Sequence, residues 1–171
     1  MAERKDAVTM KGNPLTLTGT PVQVGDKAPF FSAVNNALEP VTLDDFKGGV
    51  LILASVPSLD TSVCSMETKR FNDEAATLSP DTMLVTISMD LPFAQKRWVE
   101  EHDATRVTTI SYHKEASFGT EYGLLIKELR LLARCVIVID RDGKVAYSQL
   151  VPEVTDEPDY DAALEAARKL S

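Results

Sequence analysis

At 171 residues, 44% hydrophobic and 26% charged, the chain has the make-up of an ordinary soluble globular protein, long enough to bury a substantial core. Its formal charge of −8, with acidic residues spread along the chain and no basic run, argues against a nucleic-acid binder, which needs a basic face to neutralise phosphates. The longest apolar run, VLILASV at 50–56, falls far short of the roughly 20 residues a membrane-spanning helix needs. The first residues, MAERKDAVTMKGN, carry charges but no apolar h-region, so no secretory signal is expected. The expected location is therefore cytoplasmic, where thiols stay reduced. Cys64 and Cys135 lie far apart, with no CxxC and no histidine nearby in sequence, which excludes the usual zinc spacings. No metal or cofactor is expected, and a functional cysteine would act as a nucleophile or redox group.

In chain order, VTMKGNPLTLTG alternates polar and apolar residues around Gly12-Asn13-Pro14 and reads as a β-hairpin over about residues 8–18. After GDKAPFF, a loop made by Gly25 and Pro29, come a short strand and a turn as far as Gly48-Gly49. The continuously apolar stretch 50–56 predicts a central strand covered on both faces. From Cys64 to Leu78 the spacing is helical, with Cys64, Phe71, Ala75 and Leu78 on one face and Glu67, Arg70 and Asp73 expected mostly outside. TMLVTIS, residues 82–88, is the next buried strand, and the resulting βαβ unit implies parallel strands.

A helix over LPFAQKRWVEEH follows, with Pro92 near its start, then a weak strand at 107–110. EASFGTEYG predicts a short helix closed by Gly123. CVIVI and VAYSQL pair as a hairpin across DRDGK, with Asp142-Gly143 as the turn. The last helix, in DEPDYDAALEAARKL, places Pro158 in its first turn, Asp159 and Asp161 at its positive end, and Arg168 and Lys169 at its negative end. No repeat or linker divides the chain, so a single domain over 1–171 is expected. A βαβ half, an antiparallel hairpin and a closing helix give an α/β, thioredoxin-like fold: a central mixed sheet flanked by helices, with the N-terminal hairpin as an extension.

The stretch VPSLDTSVC joins the central strand to the first long helix and ends on Cys64. Only a thiolate attacks, and a free thiol is roughly 3% ionised at pH 7. A position in the first helical turn favours an anion by about 0.3–2 kcal/mol, which is not enough without a nearby cation from elsewhere in the fold. Thr61, three residues earlier, can cap the helix and can also hydrogen-bond a thiolate or a substrate oxygen. Pro57 ends the strand, and its ring can keep water from the sulfur. Each has an ordinary reading as well: a small core residue, a helix cap and a strand stop.

Taken together, Pro57, Thr61 and Cys64 form PxxxTxxC between a buried strand and a helix, which resembles the active-site signature of the peroxiredoxins. KGNPLTLTG, SMDLPFAQKRW, SFGTEYG, LLAR, DGKVAYSQLVPE and EPDYDAAL resemble, in the same order, the thiol peroxidase class, the atypical two-cysteine branch. The resemblance implies a peroxidatic Cys64 that attacks hydrogen peroxide or an organic hydroperoxide and becomes a sulfenic acid. It further implies that Thr61 hydrogen-bonds the peroxide, that Pro57 shields the sulfenate, and that Arg134 of LLAR supplies the missing cation. A homodimer, formed through the surface near the active-site loop, is likewise implied.

The family's resolving cysteine would stand at Val99, so the resemblance fails at that one position. Thioredoxin, a small thiol or another protein thiol would then recycle Cys64; an engineered loss of the second thiol gives the same sequence. If Arg134 faces Cys64, strand alternation turns Cys135 away, as a buried structural cysteine. His102 and His113 sit in polar surroundings and read as solvated. Trp98 and Phe93 read as a core or interface stripe. A thioredoxin-type disulfide oxidoreductase is discounted because Thr61 occupies the first position of the needed CxxC. A redox sensor that passes its oxidised thiol to a partner stays open as a rival.

Overall fold

The structure, a computed structural model, describes residues 1–115 and 117–171. Strands β1 (Glu3–Met10) and β2 (Asn13–Thr18) form the N-terminal hairpin. Its two-residue turn, Lys11-Gly12, has φ of 50° and 81°, the left-handed pair that matches the twist of the flanking strands. The hairpin starts at Glu3, earlier than the expected residue 8, because the register shifts between Arg4 and Val8 and hides the alternation there. Next come β3 (Ser32–Val34) and β4 (Pro40–Thr42), then β5 (Val50–Ser55), α1 (Ser62–Glu74), β6 (Thr82–Ser88), α2 (Pro92–His102) and β7 (Thr108–Ser111). The chain continues through α3 (Ser117–Glu121), β8 (Leu125–Ile126), β9 (Leu131–Leu132), β10 (Cys135–Ile139) and β11 (Val145–Leu150) to α4 (Tyr160–Lys169). Ala116, inside the short helix expected over EASFGTEYG, lies outside the described residues.

The central sheet has the order β11-β10-β5-β6-β7-β3-β4, and the hairpin joins β8 and β9 in a separate sheet, β1-β2-β8-β9. Strands β5, β6 and β7 run parallel, while β10 runs antiparallel to β5, so the sheet is mixed and the fold thioredoxin-like. Alternate residues of β5 and β10 feed two cores. Leu51, Leu53, Ile137 and Ile139 pack with Phe31, Phe118 and Tyr122 on one face. Val50, Ile52, Val136 and Val138 pack on the other with Phe71 of α1, Trp98 of α2 and Leu164 of α4. Both faces are covered, which is why the strand at 50–55 is apolar throughout.

Two expected helix ends differ. Helix α1 stops at Glu74 and passes into a short 3-10 turn over Ala75–Thr77. Helix α4 starts after Pro158, capped by Asp159, whose carboxylate accepts the Ala162 N–H at 3.0 Å. Among the described residues no helix is long and apolar enough to cross a membrane.

Candidate active site

The site lies at the carboxyl end of β5. The Val56 N–H donates to the Ile87 carbonyl at 3.1 Å, carrying the parallel pairing one residue past the strand, and the buried Pro57 then ends it. Thr61, extended at φ −88° and ψ 149°, is the N-cap of α1, and its Oγ1 accepts the Cys64 N–H at 3.3 Å. Cys64 is therefore the third helical residue, among the unpaired N–H groups of the first turn. Its side chain is fully buried against the core layer of α1, α2 and α4.

Arg134, immediately before β10, reaches this sulfur. Because β10 runs antiparallel to β5 with Cys135 opposite Ser55, the residue before β10 sits beside the residues that follow β5. The backbone there is braced by Ser55 Oγ, which donates to the Ala133 carbonyl at 2.8 Å, and by the Val151 N–H, which donates to the Arg134 carbonyl at 2.9 Å. The guanidinium works in three directions. Nη2 donates to Cys64 Sγ at 3.2 Å, Nε donates to the Val154 carbonyl at 3.0 Å, and Nη1 pairs with Glu67 Oε2. Arg134 is 2% exposed and Glu67 is 0% exposed.

Glu67 corrects the sequence reading, which placed it on the outer face of its helix. It lies three residues after Cys64 and four before Phe71, on the side of α1 that both of them bury. That spacing was visible in the sequence; its charge alone argued for the outside. Burial raises the Glu67 carboxyl and Arg134 pulls it back, leaving it at about 7, with Oε1 lacking a hydrogen-bond partner among the described residues. Burial lowers the Arg134 guanidinium, but Glu67 and Cys64 on either side outweigh this and hold it above its ordinary value.

Cys135 lies in the other core layer, with Leu53 and Ile137, so the alternation that turns it away from Arg134 and Cys64 holds. Its Sγ lies 3.9 Å from Ser148 Oγ, and burial pushes its thiol up to about 12. Both cysteines are free. Val99 is half-buried in α2, packed at the margin of the layer that holds Cys64. Trp98 belongs to that core and its Nε1 donates to Ser65 Oγ at 3.0 Å, whereas Phe93, five residues earlier on another side of the helix, is 67% exposed. Neither histidine is simply solvated. His102 stacks on Trp98 with ring centroids 4.4 Å apart, and His113 Nδ1 lies 2.9 Å from Ser111 Oγ.

A buried cysteine in the first turn of a helix, touched by a guanidinium at the end of a mixed thioredoxin-like sheet, defines a thiol-redox class of protein. The chain belongs to the redoxin family, whose model matches residues 23–164. It is 52% identical over 162 residues to the thiol peroxidase of Listeria innocua, covering 95% of this chain and 98% of that one. Against the thiol peroxidase of Bacillus subtilis it is 50% identical over 163 residues, covering 95% and 97%. The crystal structure of a peroxiredoxin-like protein from Aquifex aeolicus matches with a TM-score of 0.91 at 43% identity, covering 97% of this chain and 98% of that one.

Proposed function

We propose that the chain is a thiol-dependent peroxidase of hydrogen peroxide and organic hydroperoxides, with Cys64 as the peroxidatic residue. The observation that carries this reading is the Arg134 N–H on the buried Cys64 sulfur, in the first turn of a capped helix. The thiolate attacks one peroxide oxygen, the O–O bond breaks, and the other oxygen leaves with a proton as water or an alcohol. Cys64 is left as a sulfenic acid. Arg134 holds the charge on sulfur and stabilises it as it moves toward the leaving oxygen. The Thr61 hydroxyl donates to the Ser58 carbonyl at 3.1 Å and accepts from the Cys64 N–H, which leaves one lone pair to receive the peroxide O–H. Pro57 covers the sulfur against water.

With Val99 at the place of a second thiol and Cys135 on the other face of the sheet, an external thiol closes the cycle. It attacks the sulfenic sulfur and releases water, and a second thiol then frees Cys64 from the mixed disulfide. Thioredoxin or a small cytoplasmic thiol fits that role. The chain acts as one domain with a second copy as its partner; Leu91 and Phe93, 52% and 67% exposed beside the loop, give that face apolar area. The absence of a second thiol from the Cys64 face also favours a redox sensor that holds a mixed disulfide with one protein. Intact mass after one equivalent of hydroperoxide without reductant, with a sulfenic-acid trap in parallel, is the test. An added oxygen or a trapped adduct on Cys64 is expected. Loss of two hydrogens within one chain would make Cys135 the resolving thiol, and an unchanged mass would overturn the peroxidase. Turnover with a small thiol separates the enzyme from the sensor.

A further inference from the structure

We propose that Asp90 is a positioning residue for the chemistry at Cys64: its carboxylate fixes Ser58, and Ser58 fixes the Thr61 hydroxyl. This rests on the peroxidase reading above, and adds to it a residue that touches neither the sulfur nor the space in front of it.

The loop between Pro57 and Thr61 leaves the sheet and must satisfy its backbone elsewhere. Ser58 is its pivot. The Ser58 carbonyl accepts both the Thr61 N–H, at 3.2 Å, and the Thr61 hydroxyl, at 3.1 Å. The Ser58 hydroxyl receives the Asp60 N–H at 3.1 Å and donates to Asp90 Oδ1 at 2.6 Å. The second Asp90 oxygen, Oδ2, accepts the Leu59 N–H at 2.8 Å, so one carboxylate holds two successive residues of the loop.

Asp90 is itself held firmly. Oδ2 also accepts from the Ser88 hydroxyl at 2.8 Å, and the Asp90 carbonyl accepts from the Ser111 hydroxyl. Ser88 is fixed in turn by Gln95 of α2, whose Nε2 donates to it at 3.0 Å and to the Ile110 carbonyl at 2.9 Å. The path from β6 through Asp90 and Ser58 to Thr61 and Cys64 thus consists of direct hydrogen bonds. A second tie, Arg97 to Asp60 at 2.7 Å, joins the same loop to α2 from the exposed side. Exposed pairs of that kind contribute little, so the half-buried Asp90 dominates.

The consequence is a split between two reactions of the same sulfur. Peroxide reduction needs Thr61 in place; alkylation by a small electrophile needs only access to Cys64, which the closed loop denies. Asp90→Asn keeps the side chain's size but has one acceptor oxygen where the carboxylate uses both. Ser58→Ala removes the other end of the same contact. Stopped-flow oxidation by hydrogen peroxide should slow by about ten- to a hundredfold in each variant. The double variant should be slowed by clearly less than the product of the two single effects, because the two residues share the Ser58–Asp90 contact. Iodoacetamide should meanwhile modify Cys64 at least as fast as in the wild type, with circular dichroism unchanged. A wild-type peroxide rate in both variants would overturn the proposal, and so would a parallel fall of both reactions. If the wild type itself fails to react with peroxide, the peroxidase reading fails, and the alkylation rates alone decide whether Asp90 closes the loop: faster in the variants supports it, unchanged or slower overturns it.

Discussion

Cys64 and Cys135 are both buried, 0% and 2% exposed, against opposite faces of one sheet, yet their surroundings differ in every charged respect. Cys64 has a guanidinium on its sulfur and a capped helix N-terminus under it. Cys135 stands in a strand in an apolar layer with a serine hydroxyl at 3.9 Å, and burial, only weakly offset by Ser148 and the Gln149 backbone, drives its thiol up to about 12. Burial therefore does not distinguish the two thiols. What separates the two is the compensation: a cation and oriented dipoles on one face, and almost nothing on the other.

The comparison breaks outright if the wrong thiol matters. Cys64→Ala should abolish peroxide consumption in an assay with excess dithiol, while Cys135→Ala should leave the initial rate unchanged. Loss of activity in the Cys135 variant would put the functional thiol on the wrong face. Removing the cation sharpens the contrast: Arg134→Met should slow Cys64 oxidation by about 10²–10³-fold, the loss typical of one donor at developing charge. It also leaves the buried Glu67 carboxyl without its partner, which should read as a lower melting temperature. Arg134→Lys should recover only part of the rate, because one ammonium cannot reach the sulfur, Glu67 and the Val154 carbonyl in three directions.

The smallest effect concerns pH. The Glu67 carboxyl, at about 7 in the folded chain, lies above its unfolded value of about 4.3, so folding tightens its hold on the proton. That stabilisation is complete below about pH 4.3 and is lost as the pH rises through about 7. The melting temperature of the wild type relative to Glu67→Gln should therefore fall steadily between about pH 5 and about pH 8. A flat difference would show that Arg134 holds Glu67 ionised throughout.

Much of this molecule is legible from neighbours in the chain. The Asp142-Gly143 turn, the apolar run 50–55 and the cap by Thr61 each depend on a few adjacent residues, and each appears where those residues place it. The first hairpin instead turns at Lys11-Gly12, earlier than the expected Gly12-Asn13-Pro14, because Asn13 and Pro14 already pair with Met10 and Thr9 in the ladder. Strand alternation even assigns Arg134 and Cys135 to opposite faces. The rest depends on which elements pack together. Nothing local to LLAR marks Arg134 as the partner of Cys64; only the resemblance did so, and the antiparallel register of β10 on β5 explains why it arrives there. Glu67 is charged and looks external until a buried guanidinium gives it a partner, and Asp90 looks like a loop residue until Ser58 and Leu59 turn toward it. Periodicity, caps and turns act over a few residues, so the sequence alone determined most of the elements and the place of Cys64 in the first turn of α1. Arg134 stands 70 positions from Cys64 and Asp90 32 positions from Ser58; these contacts form only when the sheet closes, and the tertiary structure alone decided them.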